Sequence, residues 1–317
     1  MKLLVIIPAY NEADSIVEVI KNIPQNIRRI DQINILVIDD GSTDKTVFKV
    51  KSETKATVIS HQGNRGVGVA FGTGISYALE NRADLVVNID ADGQFNPLDI
   101  PQLVQPILNN QADFVTASRF IKKDFIPQMP RIKLWGNRRV ASLISWLTRE
   151  KFYDVSCGFR AYNKEALLSL NLFGQFTYTQ EVFLDLSFKG LRIKEIPIKV
   201  RYFPQRRSRV YQGIFHYGFN TLKIILKTLR DYRPFRFFGS IGLIIFFIGL
   251  ILDIFMMAFY LKTGGFTPYK VVGLTGLSLN VIGLGVLFLA LIADMLYRLR
   301  INQEKLLYYE KKRRYYS

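Results

Sequence analysis

Two carboxylates stand two residues apart at the end of an apolar run. The segment NIDADGQFNP (88–97) follows Leu85-Val86-Val87 and carries Asp90, Asp92 and the amide of Gln94 ahead of an asparagine–proline turn. Residues i and i+2 of an extended segment project to the same side, so the two carboxylates converge. At the end of a buried strand they repel each other and lose hydration, a cost that a cation removes. Two carboxylates and an amide oxygen suit a hard divalent cation that keeps several waters, Mg2+ or Mn2+. Acidic pairs of this spacing also arise by chance and cap helices. This one gains weight from Asp39-Asp40, which ends a second apolar run, Ile33–Ile38.

The elements that must position these groups are legible up to about residue 200. Strand-like runs at Leu3–Ile7, Ile33–Ile38, Thr57–Ser60, Leu85–Ile89 and Phe114–Ala117 alternate with helical patterns. Asn11, with Asp14 three residues on, is expected to cap a helix over 12–23. Asn96-Pro97 reads as the cap and first position of a helix over 97–109. Nearly continuous apolar strands separated by helices predict an α/β fold with a mostly parallel sheet covered on both faces. Ligands of such sheets sit at the carboxyl ends of strands, at a topological switch point. PAYNE, DDGSTD and DADGQ all fall at such ends. The opening run MKLLVII stops at Pro8, too soon for a signal-peptide core, and reads as the first strand.

The chain has 317 residues and a formal net charge of +17, from 43 Lys and Arg against 26 Asp and Glu. That excess points to an anionic membrane surface, a phosphorylated substrate or nucleic acid. Nucleic acid is discounted, because the basic residues cluster beside apolar spans and not on a recognition helix. The single cysteine, Cys157, excludes an internal disulfide. A nucleophilic thiol and a small buried residue are both open readings, with no histidine nearby in sequence to favour the first.

Beyond residue 230 the composition changes. Phe237–Leu261 holds one charge, Asp253, and Val271–Leu296 holds one, Asp294. Each run is long enough to cross a hydrocarbon core of about 30 Å. The flanks RDYRPFR and YRLRINQEKLLYYEKKRRYYS are basic, and the connecting loop holds only Lys262 and Lys270, so both flanks are expected in the cytoplasm. Asp253 and Asn280 fall at similar depth in an antiparallel hairpin and are expected to hydrogen-bond, because an intramembrane carboxylate needs a partner. Two stretches, 131–150 with Trp135 and Trp146 and 213–232, are amphipathic, basic and aromatic. Both suit the membrane plane, with ordinary core packing the alternative. The resulting division is a catalytic domain at 1–210, a juxtamembrane amphipathic helix at 211–234, two transmembrane helices at 235–297 and a basic tail at 298–317. The catalytic domain and both termini face the cytoplasm of a cell or ER-type membrane.

GNRGVGVAFGTG (63–74) is glycine-rich, but Phe71 stands where a dinucleotide fingerprint begun at Gly66 needs its last glycine, and no G-K-[ST] follows. Any nucleotide diphosphate must be held by metal and arginines.

VIIPAYNE, VIDDGSTD, NRGVG, NIDADGQ, ASRF, CGFRAYNKEAL and KEIPI occur in an order and spacing that resemble the inverting family-two glycosyltransferases of GT-A fold. The closer resemblance is to the polyprenyl-phosphate branch that includes dolichyl-phosphate mannose synthases, some of which carry membrane anchors. The resemblance spans roughly 1–210. It implies that Pro8, Ala9, Tyr10 and Glu12 hold the nucleoside, with Asp39 on the base and Asp40 beside it. It further implies that Asp90, Ala91 and Asp92 meet ribose, diphosphate and metal, with Gln94 a further metal ligand. Arg119 and Arg131 match basic positions near the sugar and acceptor phosphate. QRRSRV (205–210) resembles a basic loop of the branch. Arg207, Ser208 and Arg209 are its candidate phosphate contacts, although Arg206 and Arg207 replace the usual small residues and leave open which arginine closes on the diphosphate. Simple attraction to anionic lipid is the other reading of Arg131 and this loop. Glu181 matches an acidic position beside the acceptor; a solvated or capping glutamate is the other reading.

The chemistry implied is transfer of one sugar from a nucleotide sugar, a UDP-sugar preferred and GDP-mannose possible, to polyprenyl phosphate (dolichyl or undecaprenyl) with inversion. A phosphate monoester has a second pKa of about 6 and attacks without a strong base. Cation and arginines stabilise the departing diphosphate. A hydroxyl acceptor would instead need a positioned carboxylate, with Glu181 or Asp185 the candidates. An inactive membrane scaffold is the third alternative. Two spans per chain make a slight anchor, which points to a homo-oligomer.

Overall fold

The computed structural model describes every residue except 128, 130, 172–177, 202–221, 224–225, 228 and 317, and of 131–133 and 178 the backbone only. The chain divides into two compact units, Met1–Gly218 with Leu307–Ser317, and Phe219–Leu306.

The first unit is built on a seven-stranded mixed sheet. Its strands are β1 (Lys2–Ala9), β2 (Gln32–Asp39), β3 (Thr57–Ser60), β4 (Leu85–Asn88), β5 (Phe114–Ser118), β6 (Arg160–Asn163) and β7 (Ile193–Pro197), in the order β3-β2-β1-β4-β6-β5-β7. The five strand-like runs of the sequence are β1 to β5. β1, β4, β5 and the second half of β2 are buried on both faces, as parallel strands under two helical layers are, while β3 at the sheet edge is partly exposed. β1 pairs in parallel with β2 on one side and β4 on the other, so the chain reverses its direction of growth there. Ala9 lies opposite Asp39, and Ile6 opposite Asn88, which aligns the three polar strand ends.

β6 is antiparallel to both β4 and β5, with Arg160 opposite Asn88. An antiparallel insertion has one consequence for the site. The segment entering β6, residues 154–159, arrives at the same sheet edge that the parallel strands leave. β6 and β7 are short and lack the long apolar runs that mark the other strands in the sequence.

Helices α1 (Ile16–Lys21), α2 (Thr46–Glu53), α3 (Val67–Glu80), α4 (Ile100–Leu108), α5 (Arg131–Thr148), α6 (Lys164–Ser169) and α7 (Tyr178–Phe188) flank the sheet. The expected helix over 97–109 forms as one 3-10 turn running into α4, and the Asn96 side chain accepts the Leu98 N–H at its start. The helix expected over 12–23 is shorter. Asn11 does not cap it: its φ is +54°, and its side-chain oxygen accepts from Thr43 N (2.8 Å) and Asp44 N (3.3 Å), two donors that outcompete a helix start. In α3 the close approach to β1 requires glycine, because a Cβ on Gly74 would lie 2.7 Å from Ile6. α5 buries Asn137, Val140, Ala141, Ile144 and Leu147 and exposes Trp135 and Trp146, so the core-facing and surface-facing readings each describe one side of it. Of the 213–232 stretch, residues 222–223, 226–227 and 229–232 are described, with Leu222 and Leu226 exposed.

The last eleven residues belong to this unit. Tyr308 hydroxyl bonds the Glu165 carboxylate, Lys311 Nζ donates to Leu170 O (2.8 Å) and Asn171 Oδ1 (2.9 Å), and Tyr316 hydroxyl donates to Ala83 O (2.6 Å). Lys164 sits 3.8 Å over the Tyr316 ring.

In the second unit α8 (Pro234–Thr263) and α9, whose full range is Lys270–Tyr316, are long and apolar enough to cross a membrane. Glycines set their spacing: a Cβ on Gly283 would lie 2.7 Å from Phe246 N, and one on Gly242 would lie 3.0 Å from Gly283 O. Further along, beside the close approaches of Gly249 and Gly276, the Asn280 side-chain amide donates to the Asp253 carboxylate, the pair expected from depth alone. Replacing Asn280 by leucine takes away that donor inside the apolar hairpin. Thermal unfolding in detergent is expected to show a loss of about 1 kcal/mol, within the range for hydrogen bonds between membrane helices.

Candidate active site

The polar ends of β1 and β2 are laced together before any ligand is considered. Asn11 N donates to Ser42 Oγ (2.9 Å) and Glu12 N to Thr46 Oγ1 (2.8 Å), so PAYNE is held against DDGSTD. Asp39 is buried and accepts the Ser42 N–H (3.0 Å) in a tight turn. Gly41 completes that turn at φ +76°, where a Cβ would lie 2.5 Å from the Gly63 carbonyl carbon. Asp40 turns inward. Its carboxylate accepts from Arg65 N (3.0 Å) and Gly66 N (2.8 Å) and meets His61 Nδ1 (2.8 Å), whose Nε2 lies 3.0 Å from Thr73 Oγ1. Asp40 therefore pins the glycine-rich 63–66 loop to the sheet, while Asp39 is the member of the pair that ends β2.

Asp90 and Asp92 leave β4 at the switch point between β1 and β4, as their position after a buried run requires. Asp92 Oδ1 accepts the Gln94 N–H (3.0 Å), and Gly93 takes φ +71° in the turn. Ser15 Oγ donates to Ala91 O (2.8 Å), which ties the turn to the β1 side. Burial first, then the neighbouring Asp92 charge, pushes the Asp90 carboxyl up to about 7; the Arg160 and Arg119 charges oppose this. A buried carboxylate beside a second one is stabilised by nearby positive charge. Among the described residues there is no group of three or more His, Cys, Asp or Glu that could hold a metal. Asp90 and Asp92, with the amide of Gln94 two residues on, are the groups at this strand end that could hold a magnesium- or manganese-type ion, which keeps several waters.

The far wall comes from the segment entering β6. Asn88 Nδ2 donates to Gly158 O (2.9 Å), and a Cβ on Gly158 would lie 2.7 Å from Asp90 Oδ2, so only glycine fits beneath that carboxylate. Arg160 is fully buried. Its Nε donates to Cys157 O (2.7 Å) and its Nη2 to Val155 O (3.2 Å), while its guanidinium lies over the Phe114 and Phe183 rings. Cys157 is buried, and burial followed by the Asp154 charge pushes its thiol up to about 12; it is a packing residue.

Arg119 leaves β5 and is clamped by Asp154, with Nε to Oδ2 at 2.6 Å, Nη2 to Oδ1 at 2.8 Å and a further bond from Nη2 to Ser156 Oγ at 2.8 Å. Desolvation would raise the fully buried Asp154, but the Arg119 charge and bonds bring it below its ordinary value. Glu181 stands in the first turn of α7, half-buried. Asp185 is buried and paired with Lys189 (2.8 Å). Arg131 begins α5, its side chain outside the described residues, as are Arg207, Ser208 and Arg209 entirely. The expected site residues Pro8, Ala9, Tyr10, Glu12, Asp39, Asp90, Ala91, Asp92, Gln94 and Arg119 all lie at or just beyond the carboxyl ends of β1, β2, β4 and β5. Sequence reasoning missed Asp154, Gly158, Arg160 and Glu195. The available signal was Arg160, a charge between Phe159 and Ala161 where β6 begins.

A mixed sheet with an acidic pair at its switch point is the GT-A arrangement, and comparison with known proteins agrees. The profile of glycosyl transferase family 2 matches residues 4–170, more than half of the chain, and the chain belongs to that family. It is 36% identical over 217 residues to the UDP-N-acetylglucosamine–dolichyl-phosphate N-acetylglucosaminyltransferase of Methanococcus voltae, covering 62% of this chain and 84% of that one. It is 26% identical over 208 residues to the polyprenol monophosphomannose synthase of Mycolicibacterium smegmatis, covering 62% and 76%. Glucosyl-3-phosphoglycerate synthase of Mycobacterium tuberculosis, solved with Mn2+, UDP-glucose and phosphoglyceric acid, superposes with a TM-score of 0.54 at 23% identity, over 72% of this chain and 78% of that one, and shares the fold.

Gly158→Ala tests the floor of the site. The added methyl displaces the Asp90 carboxylate, and Mn2+-dependent UDP binding is expected to weaken by about tenfold, the lower end for disturbing the support of a metal ligand. Isothermal titration with and without Mn2+ reads it, and the Mn2+-independent component should be unchanged.

Proposed function

We propose that this protein is a membrane-bound, inverting glycosyltransferase that moves one sugar from a nucleotide-diphosphate sugar, a UDP-sugar by preference, to polyprenyl phosphate. The observation that carries this reading is a buried acidic pair at the switch point of the sheet with an arginine locked near it. Asp90 is pushed up by burial and by Asp92, and Arg119 lies close enough to oppose that rise. Such a site fits a diphosphate that brings its own cation. Of the two carboxylates that could serve as a base for a hydroxyl acceptor, Asp185 is buried and paired with Lys189, which leaves Glu181 as the one to test. A phosphate acceptor, already ionised, needs none.

In this reading Tyr10, Glu12 and Asp39 border the nucleoside, and Asp90, Asp92 and Gln94 hold Mg2+ or Mn2+ against the diphosphate. When bound, the cation would neutralise charge that builds on the departing diphosphate. Arg119 supplies fixed positive charge to the same region without reorganising, because Asp154 and Ser156 already hold it. Arg131, at the start of α5, and the 207–209 loop receive the acceptor phosphate. The exposed Trp135 and Trp146 and the basic Arg138 and Arg139 of α5 form a surface suited to headgroups. The catalytic unit and both termini face the cytoplasm, the polybasic flanks of the two spans setting the orientation, and the protein acts as a homo-oligomer.

The test uses purified protein, Mg2+ or Mn2+, a short-chain polyprenyl phosphate and labelled UDP- and GDP-sugars. Label from one donor is expected in the organic phase, abolished by EDTA. Asp92→Asn should lower it by about 100-fold, comparable with removing one stabiliser of transition-state charge. Glu181→Gln should retain transfer. Nucleotide release with label only in a water-soluble product would replace the lipid acceptor with a hydroxyl one. Absence of nucleotide binding would end the enzyme reading.

A further inference from the structure

Behind Arg119 lies a second carboxylate that the transfer reading does not use. Glu195 sits in β7 opposite Thr116 of β5, the strand that ends immediately before Arg119. Its carboxylate accepts two backbone N–H groups, Tyr153 N at 2.8 Å on Oε2 and Asp154 N at 2.7 Å on Oε1. The turn at 153–154 is therefore fixed at both N–H groups by one side chain from a neighbouring strand. Asp154, whose side chain is fully buried, in turn accepts the Arg119 backbone N–H (3.1 Å) as well as its guanidinium. Two carboxylates are thus arranged in series behind one guanidinium, linked through the peptide between Tyr153 and Asp154.

Resting on the transfer reading, we propose that Glu195 is a positioning residue for the reaction, holding the Asp154 turn so that Arg119 presents its charge to the donor diphosphate in one fixed plane. The chemistry favours a carboxylate over an amide at this place. Two N–H donors converge on two separate oxygens, and only an ionised carboxylate accepts on both. Burial pushes Glu195 up to about 7 while the two backbone N–H bonds restrain it. Asp154 is held below its ordinary value by Arg119, which keeps that pair charged. A glutamine in this position turns one accepting oxygen into an NH2 that faces an N–H, and the turn must move.

The experiment compares Glu195→Gln, Arg119→Lys and the double variant in the lipid-transfer assay. Glu195→Gln is expected to lower kcat about tenfold, in the range found when the support of a catalytic ligand is removed, with the nucleotide-sugar KM within about twofold, since the acidic pair still binds donor. In the Arg119→Lys background the same change should cost less than about twofold, because its effect runs through the guanidinium. Additive losses, or an unchanged kcat, would overturn the proposal. A readout independent of turnover accompanies it: the Nε–H resonance of 15N-labelled Arg119, assigned by its loss in Arg119→Lys, should exchange with solvent about tenfold faster in Glu195→Gln. Unchanged exchange also overturns the proposal. Wild-type protein that transfers nothing to polyprenyl phosphate, yet shows the exchange response, would sink the transfer reading and leave the positioning geometry standing. If Glu195→Gln does not fold, Glu195→Asp, one methylene too short to reach both N–H groups, is scored by the same criteria.

Discussion

The repulsion between Asp90 and Asp92, at the buried end of β4, is the constraint around which the first unit is arranged. Burial and mutual charge push Asp90 up to about 7, and a fold that places such a pair there must offer either protons or cations. The surroundings offer cations. Arg119 and Arg160 lie close enough to oppose the rise, and each is itself anchored by groups that cannot follow a ligand in and out. Arg119 is bound to a buried carboxylate, and Arg160 to two backbone carbonyls between aromatic rings. Their charge is therefore a standing feature of the site, which is what electrostatic stabilisation without reorganisation demands.

The antiparallel strand β6 makes this possible. In a wholly parallel sheet, every segment at the carboxyl edge is a strand exit, and strand entries are at the opposite edge. Inserting one reversed strand between β4 and β5 brings an entry segment, 154–159, to the working edge. That segment contributes Asp154, Ser156 and Gly158, while Arg160 opens the strand itself. The fit is close: Gly158 has no room for a Cβ against Asp90, so the position of the acidic pair and the path of the entering chain determine each other.

How much of this was legible in advance follows from the range of the interactions. β1, β4 and β5 were readable because burial on both faces writes itself as apolar runs. The acidic pair was readable because two carboxylates after such a run have few reasons to be there. The Asp253–Asn280 bond was readable from depth, since the hairpin confines each polar group to one level. Asp154 and Glu195 were not, because their partners are 35 to 42 residues away in sequence and leave no local pattern; Arg160 stands out only as a charge between apolar residues, and its partners are backbone atoms of a loop. Asn11 was misread for a related reason. Asparagine before a helical stretch has a helix-capping habit, but here the loop after β2 supplies better-placed donors, and long-range bonds override a local preference.

The end of the chain follows the same logic of long-range anchoring. Read as sequence, residues 298–317 are a basic tail fit to rest on anionic lipid. In the fold the last part of α9 carries Lys311 into two oxygens at the end of α6 and Tyr316 onto the carbonyl before β4, with Lys164 over its ring. Ala83 and Asp84 lead directly into β4, the strand that ends in the acidic pair, and Asp84 N is itself held by Lys2 O. The C-terminal segment thus braces the entry of the strand whose exit holds Asp90 and Asp92. Charge that composition assigns to the membrane is spent in part on the catalytic unit itself.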